Sequence, residues 1–426
     1  MRRIISFFKR ILAFIGIFLF IGSSNAEVTN DDRIYDPNIQ SVMLHKSGKQ
    51  LTEPLIVFQS GKQLELSFDD LSDEAYIFRY TLIHCTHDWE TTDLEPIEYL
   101  GGYFEDEILD YTFSLNAIPE YIHYKLTFPS ADMRIKLSGN YIIKVYLDSP
   151  EDENVILTRR FYVVEPISRI EASIPFYPKV LDYTRKKQQI DLVVHTPDLF
   201  SAEPEKRVNV SIRQNGRWDN MMEGLKPTGM MMSALEYNYR DGIVFDGGNQ
   251  FRNFDMKSYW YQSPQIRRII NEQSSYRVIL HTDGKRSGKP YESLDDLNGM
   301  RFIKARNDQR TDIEGEYAWV EFNLKHSEIK DADVYIMGQL NDWHLDAKNK
   351  MRYNRQTGMY YGEMFLKQGY YNYNYVVLRK GETIGDVTII EGDHWDTFND
   401  YKIYVYYTER VPEYDRLVGY LKFLSH

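Results

Sequence analysis

His84-Cys85-Thr86-His87-Asp88 gathers two imidazoles, a thiol and a carboxylate in one short run, a donor set that suits zinc. The spacing argues against a metal. The run reads as a strand, whose side chains alternate, so His84 and His87 point to opposite faces. Only a turn after Cys85 would bring them together, and zinc would still need further ligands at about 2.0–2.3 Å. The reading taken is structural, with Cys85 a buried, inert thiol and Trp89 and Tyr80 packed nearby. Glu391, Asp393 and His394 form a second small polar knot, equally weak as a site. Gly247-Gly248 and Gly101-Gly102 lack the spacing of a phosphate loop or dinucleotide turn. No G-x-S-x-G elbow is present. A glycosidase needs two carboxylates roughly 5–10 Å apart. The 63 acidic residues neither exclude such a pair nor point to one. The expectation is a protein that is not an enzyme, holds no metal and no cofactor, and works by binding other macromolecules.

The elements that position these residues are strands. Helical periodicity is scarce and period-two alternation recurs along the chain. Tyr76, Phe78, Tyr80 and Leu82 fall on one face of a strand. Tyr141–Leu147, Thr158–Val164, Gln188–His195, Val208–Gln214, Tyr276–His281 and Trp319–Leu324 follow. Val334–Met337, Tyr360–Leu366, Tyr371–Leu378 and Lys402–Tyr407 complete the set. Ser138-Gly139-Asn140, Gln214-Asn215-Gly216, Asp283-Gly284 and Asn298-Gly299 read as turns. Short helical pieces are expected at Glu120–His123 and around Ser293–Leu297. Many short strands with such punctuation predict an all-β chain of tandem Ig-like β-sandwich domains. Three units are expected: 27–165, ending in a strong strand before Pro166; a middle β-rich unit, 166–314; and a last sandwich, 315–426.

Residues 1–26 carry a basic start (Arg2, Arg3, Lys9, Arg10), an unbroken apolar run from Ile11 to Gly22, and small residues Ser24 and Ala26. This is a signal peptide cut after Ala26, the alternative being an uncleaved anchor. No cysteine follows the run, which argues against a lipoprotein. Beyond it, no stretch reaches the roughly 18 apolar residues of a membrane helix. Cleavage removes four bases and takes the formal net charge from −12 to −16, which disfavours nucleic acid as a partner. With one cysteine in 426 residues, no internal disulfide can form, and a large disulfide-free exported protein suits a bacterial periplasm.

The last unit reads strand, Gly338-Gln339-Leu340-Asn341-Asp342-Trp343, then a hairpin closing on Gly369-Tyr370-Tyr371-Asn372-Tyr373. This resembles early-set Ig-like modules that bind starch and glycogen. The resemblance implies that Trp343 either stacks on a sugar or caps the core of its own domain.

A wider pattern runs through the chain. It includes His84-Cys85-Thr86-His87-Asp88-Trp89, Tyr99-Leu100-Gly101-Gly102, Asp110-Tyr111-Thr112-Phe113-Ser114 and Tyr121-Ile122-His123-Tyr124. It continues through Leu137-Ser138-Gly139-Asn140-Tyr141, Arg159-Arg160-Phe161, Gln214-Asn215-Gly216-Arg217-Trp218, Gly247-Gly248-Asn249-Gln250-Phe251-Arg252 and Leu366-Lys367-Gln368-Gly369-Tyr370-Tyr371-Asn372-Tyr373. On these residues the chain resembles the plug protein family of the bacterial type IX secretion system. One departure is Gln250, where the pattern leads one to expect an acid. The resemblance implies a non-enzymatic periplasmic subunit on the mouth of a large outer-membrane β-barrel translocon, keeping it closed without cargo. A glycan-binding protein acting through the last module is the alternative.

Exposed aromatics and arginines are favoured interface anchors. Arg217 and Trp218 follow an Asn-Gly turn and are expected at a loop tip. Arg252 and Trp260 lie in a segment of poor periodicity. With Trp343, these five are the candidate partner-binding residues.

Overall fold

The computed structural model describes residues 28–196, 204–231, 234–306 and 310–426. The expected signal peptide, 1–26, lies outside the described residues. Among these, helix is confined to isolated single turns, and no helix is long and apolar enough to cross a membrane. The remainder is strand and loop, as alternation predicts.

The first sandwich pairs two sheets. One runs Arg33–Ile34, Val155–Val164, Gly139–Leu147, Phe78–Cys85, Glu105–Ile108. The other runs Ile39–Lys46, Leu64–Asp70, Ile122–Phe128, Asp110–Phe113. Phe78, Tyr80 and Leu82 face inward as their spacing requires, and meet Phe68 and Tyr124 of the opposite sheet. Glu120–His123 is not helical. Ile122 opens a strand whose buried Ile122 and Tyr124 keep period two, so core packing overrides the local helical reading. The segment around Ser293–Leu297 is likewise without helix.

The second sandwich sets Met222–Leu225, Val208–Gln214, Asp400–Thr408 and Asp415–Leu424 against Arg169–Ser173, Lys187–His195, Ala234–Glu236 and Gly229–Met231. Its core joins Ile190, Leu192 and Val194 to Val210, Ile212, Ile403 and Val405. The third sets Arg252–Asp255, Gly369–Arg379, Arg301–Ile303 and Ala332–Met337 against Ile266–Glu272, Ser275–Leu280, Tyr317–Lys325, Met359–Lys367 and Arg352–Asn354. Strand pairing therefore crosses the boundary expected near 314. Strands of 252–303 join the third sandwich, and strands of 400–424 return to the second. Turn residues mark where a strand ends, but not which strand it joins. Asp283-Gly284, expected as a turn, is a short strand parallel to Leu324-Lys325.

Long-range bonds tie the three sandwiches together. Between the first and third, Lys367 Nζ meets Asp69 at 2.6 Å, and the Leu115 N–H donates to the Ile313 carbonyl at 2.7 Å. Between the first and second, the Glu165 N–H donates to the Leu417 carbonyl at 2.8 Å, and Tyr162 stacks on Tyr404 at 4.5 Å. Between the second and third, the Arg217 guanidinium donates to the Gly385 carbonyl at 2.8 Å.

Candidate partner-binding surface

Four of the five candidate residues are used up inside the molecule. Asn215 does adopt the left-handed turn conformation, at φ 54°, but the chain then turns inward. Arg217 is buried, donating to both carboxylate oxygens of Asp219 and to the Gly385 carbonyl. The Trp218 ring lies between the guanidinium groups of Arg160 (4.4 Å) and Arg213 (4.0 Å) and meets Trp89 edge-on at 5.8 Å. Its indole N–H donates to Asp32 at 3.1 Å. Such cation–π layers, desolvated, hold units together more than they display a ring. The expected loop-tip display of Arg217 and Trp218 is thus corrected. Arg252 pairs with Glu391 and with Asp283 (2.7 Å). Trp343 is only 7% exposed and packs edge-on to Phe251, with Gly216 and Gly299 against its ring. It packs in a small cluster with Met337, Val376 and Val387, against which Trp218 of the second sandwich also lies, apart from the main core of the third. Trp260 is different: it is 81% exposed, beside exposed Tyr261.

A Cβ at Gly299 would lie 2.2 Å from the Trp343 ring, and its φ of +81° favours glycine. Gly299→Ala is expected to destabilise the fold by about 1–3 kcal/mol through overpacking alone. Urea titration of the two proteins checks it.

The polar clusters that invited chemistry are structural too. His84 hydrogen-bonds Thr92 and the Ser138 carbonyl, and burial lowers its pKa to about 4, so it is neutral. His87 points elsewhere, to Asp415 at 2.9 Å. Burial pushes the Cys85 thiol up to about 12, far from a reactive thiolate. Glu391 takes Arg252 and Arg286, while Asp393 accepts the amides of Gly247 and Gly248. Among the described residues, no group of three His, Cys, Asp or Glu side chains could hold a metal. Gln250 is fully engaged: its amide N–H donates to the Leu294 carbonyl and its oxygen accepts from the Phe398 amide.

The surface that sequence reasoning missed lies on the first sandwich. The chain leaves one sheet after Ile108 and enters the other at Asp110, and every residue of Asp110–Phe113 is exposed. Leu109 (66%), Phe113 (58%), Ile77 (56%), Tyr111 and Tyr76 form an exposed apolar strip here. Tyr111 sits between Phe113 and Tyr124, with centroids at 6.2 and 5.6 Å. Contiguous exposed apolar surface of this kind marks interaction sites.

Residues 39–165, the span that carries this strip, match the family described as type 9 secretion system plug protein, first domain. The whole chain is similar to a hypothetical protein from Parabacteroides merdae ATCC 43184, known from its crystal structure. That likeness has 32% identity and a TM-score of 0.89, covering 93% of this chain and 100% of that one. The chain belongs to the type 9 secretion system plug protein family. A marsupial T cell receptor aligns over 90% of this chain and 99% of its own, at 10% identity and a TM-score of 0.14, and carries no argument. No curated protein matches. Plug-family membership gives the chain a role in type IX secretion and an association with a secretion complex.

Proposed function

We propose that this plug-family protein is a non-enzymatic periplasmic gate subunit. It is exported by a cleaved signal peptide, docks on the periplasmic mouth of the type IX outer-membrane translocon barrel, and keeps that barrel closed without cargo. The observation that carries the reading is the family match over residues 39–165. The physics agrees with it. A pore wide enough for folded cargo leaks small solutes unless a stopper covers it. A stopper must resist deformation, and three sandwiches locked by buried ion pairs and cation–π layers form such a body. Rigid docking of preformed surfaces is also the ordinary mode of protein association.

Affinity capture of the tagged protein from its native envelope, read by mass spectrometry, tests this. Recovery of one very large outer-membrane β-barrel is expected, and cells without the protein are expected to admit solutes that the intact envelope excludes. Capture without a barrel overturns the reading.

A further inference from the structure

We propose that Asp110–Phe113 is a docking edge, to which the barrel partner adds an extended segment as a new strand, apolar at its centre and basic at its flanks. This rests on the gate reading above and names the surface that reading leaves open.

Asp110–Phe113 ends its sheet, pairing with Ile122–Phe128 on one side and, among the described residues, with no strand on the other. The Ser114 N–H donates to the Tyr121 carbonyl at 2.8 Å. In an antiparallel ladder the bonded pairs alternate, so Thr112 and Asp110 share the inward phase. The amides and carbonyls of Tyr111 and Phe113 therefore point away from the sheet. Unpaired edge groups at this spacing suit an extended backbone, which is how strand addition gains affinity. Natural edges are usually blunted by Lys, Pro or a bulge. Residues Glu105 to Asn116 contain no Lys, Arg or Pro, and the register from Asp110 to Phe113 is unbroken. The edge is left open over Asp110–Phe113 and closes at Leu115, whose outward N–H is taken by the Ile313 carbonyl at 2.7 Å.

Side chains set the partner's chemistry. Tyr111 and Phe113 share a face and continue into Leu109, Ile77 and Tyr76, so the centre of the partner segment is apolar. Asp73, Glu74, Glu105 and Asp110 are exposed around this strip. The nearby cations are already paired, Arg79 with Glu107 at 2.9 Å and Lys125, opposite Asp110, with Glu65 at 3.2 Å. A field of one sign selects an oppositely charged rim.

Capture of the barrel from native envelope is compared for the full-length chain and two variants. Phe113→Pro deletes the outward N–H and spares the inward bonds, the one placement a strand tolerates for proline. Phe113→Ala removes only the ring. The expected result is barrel recovery at least about ten-fold lower for Phe113→Pro, with Phe113→Ala between it and the parent. Equal recovery by Phe113→Pro and the parent, or equal loss in both variants, overturns strand addition while the gate reading stands. A parent chain that captures no barrel overturns both. If circular dichroism shows Phe113→Pro unfolded, Asp110→Lys decides: several-fold lower recovery supports the edge, and unchanged recovery refutes it.

Discussion

Replacing Glu53 by Gln is expected to lower the stability of the folded chain by about 3–5 kcal/mol, the cost of leaving buried cations without their counter-charge. Glu53 comes from the first sandwich. It meets Arg213 and, at 3.1 Å, Lys402, both from the second, and accepts the Tyr404 hydroxyl at 2.8 Å. All are nearly inaccessible to water. Burial pushes the Glu53 carboxyl up, but Arg213 and Lys402 outweigh it and hold it at about 2. A depressed carboxylate contributes stability that is present above its unfolded value near 4.5 and lost as pH falls toward about 2. The gap between parent and variant should therefore be full at neutral pH and narrow as pH drops below that unfolded value. Urea midpoints across pH 2–7 measure it. A gap that stays constant through the acid range would refute the assignment.

Asp69→Asn should cost a similar amount, about 3–5 kcal/mol, with a further pH signature on the alkaline side. Asp69 binds Lys367 at 2.6 Å, His123 at 2.7 Å and the Tyr317 hydroxyl at 2.6 Å, joining the first sandwich to the third. Burial raises the Asp69 carboxyl, and Lys367 with His123 more than offsets this, so the group is ionised. Without it, the Lys367 ammonium is left in an aromatic pocket beside Tyr121 at 4.1 Å. Burial already lowers the pKa of Lys367, and losing Asp69 lowers it further. The unfolded variant then binds more protons than the folded one, so its stability rises as pH is raised. The deficit should be smaller at about pH 9 than at pH 7, an alkaline effect carried by Lys367. Urea midpoints at the two pH values decide, and an equal deficit at both would sink the prediction.

Both networks show what the sequence could and could not express. Phe78–Cys85 was legible because alternation is a local signal, Val155–Val164 because it is rich in β-branched and aromatic residues, and the Asn215-Gly216 turn because its conformation favours particular residue types. Glu53, Arg213 and Lys402 were not legible as partners, since nothing local couples positions so far apart in the chain. The same limit misplaced Trp218: the pattern showed an aromatic after a turn, while Arg160, Arg213 and Asp32, drawn from two sandwiches, decided that it packs inward. Tyr111 and Phe113 stood in the family pattern but were not singled out as exposed. Alternating aromatics look alike on a core strand and on an edge strand, and only the missing neighbour distinguishes them.

The return of Asp415–Leu424 to the second sandwich has a kinetic meaning. This strand pairs with Asp400–Thr408, which pairs with Val208–Gln214, about two hundred residues earlier, and closing so long a loop is slow. It also receives the Glu165 amide and holds His87 through Asp415, so the first sandwich is clasped by the same late segment. A polypeptide made from its amino end cannot complete the sheet begun by Val208–Gln214 until Asp400–Thr408 and Asp415–Leu424 have been delivered. A molecule nicked or halted before Asp415 would leave Asp400–Thr408 as a bare edge and the first sandwich unclasped. Delivery of Asp415–Leu424 is thereby read out as rigidity, of the second sheet and of its clasp on the first sandwich.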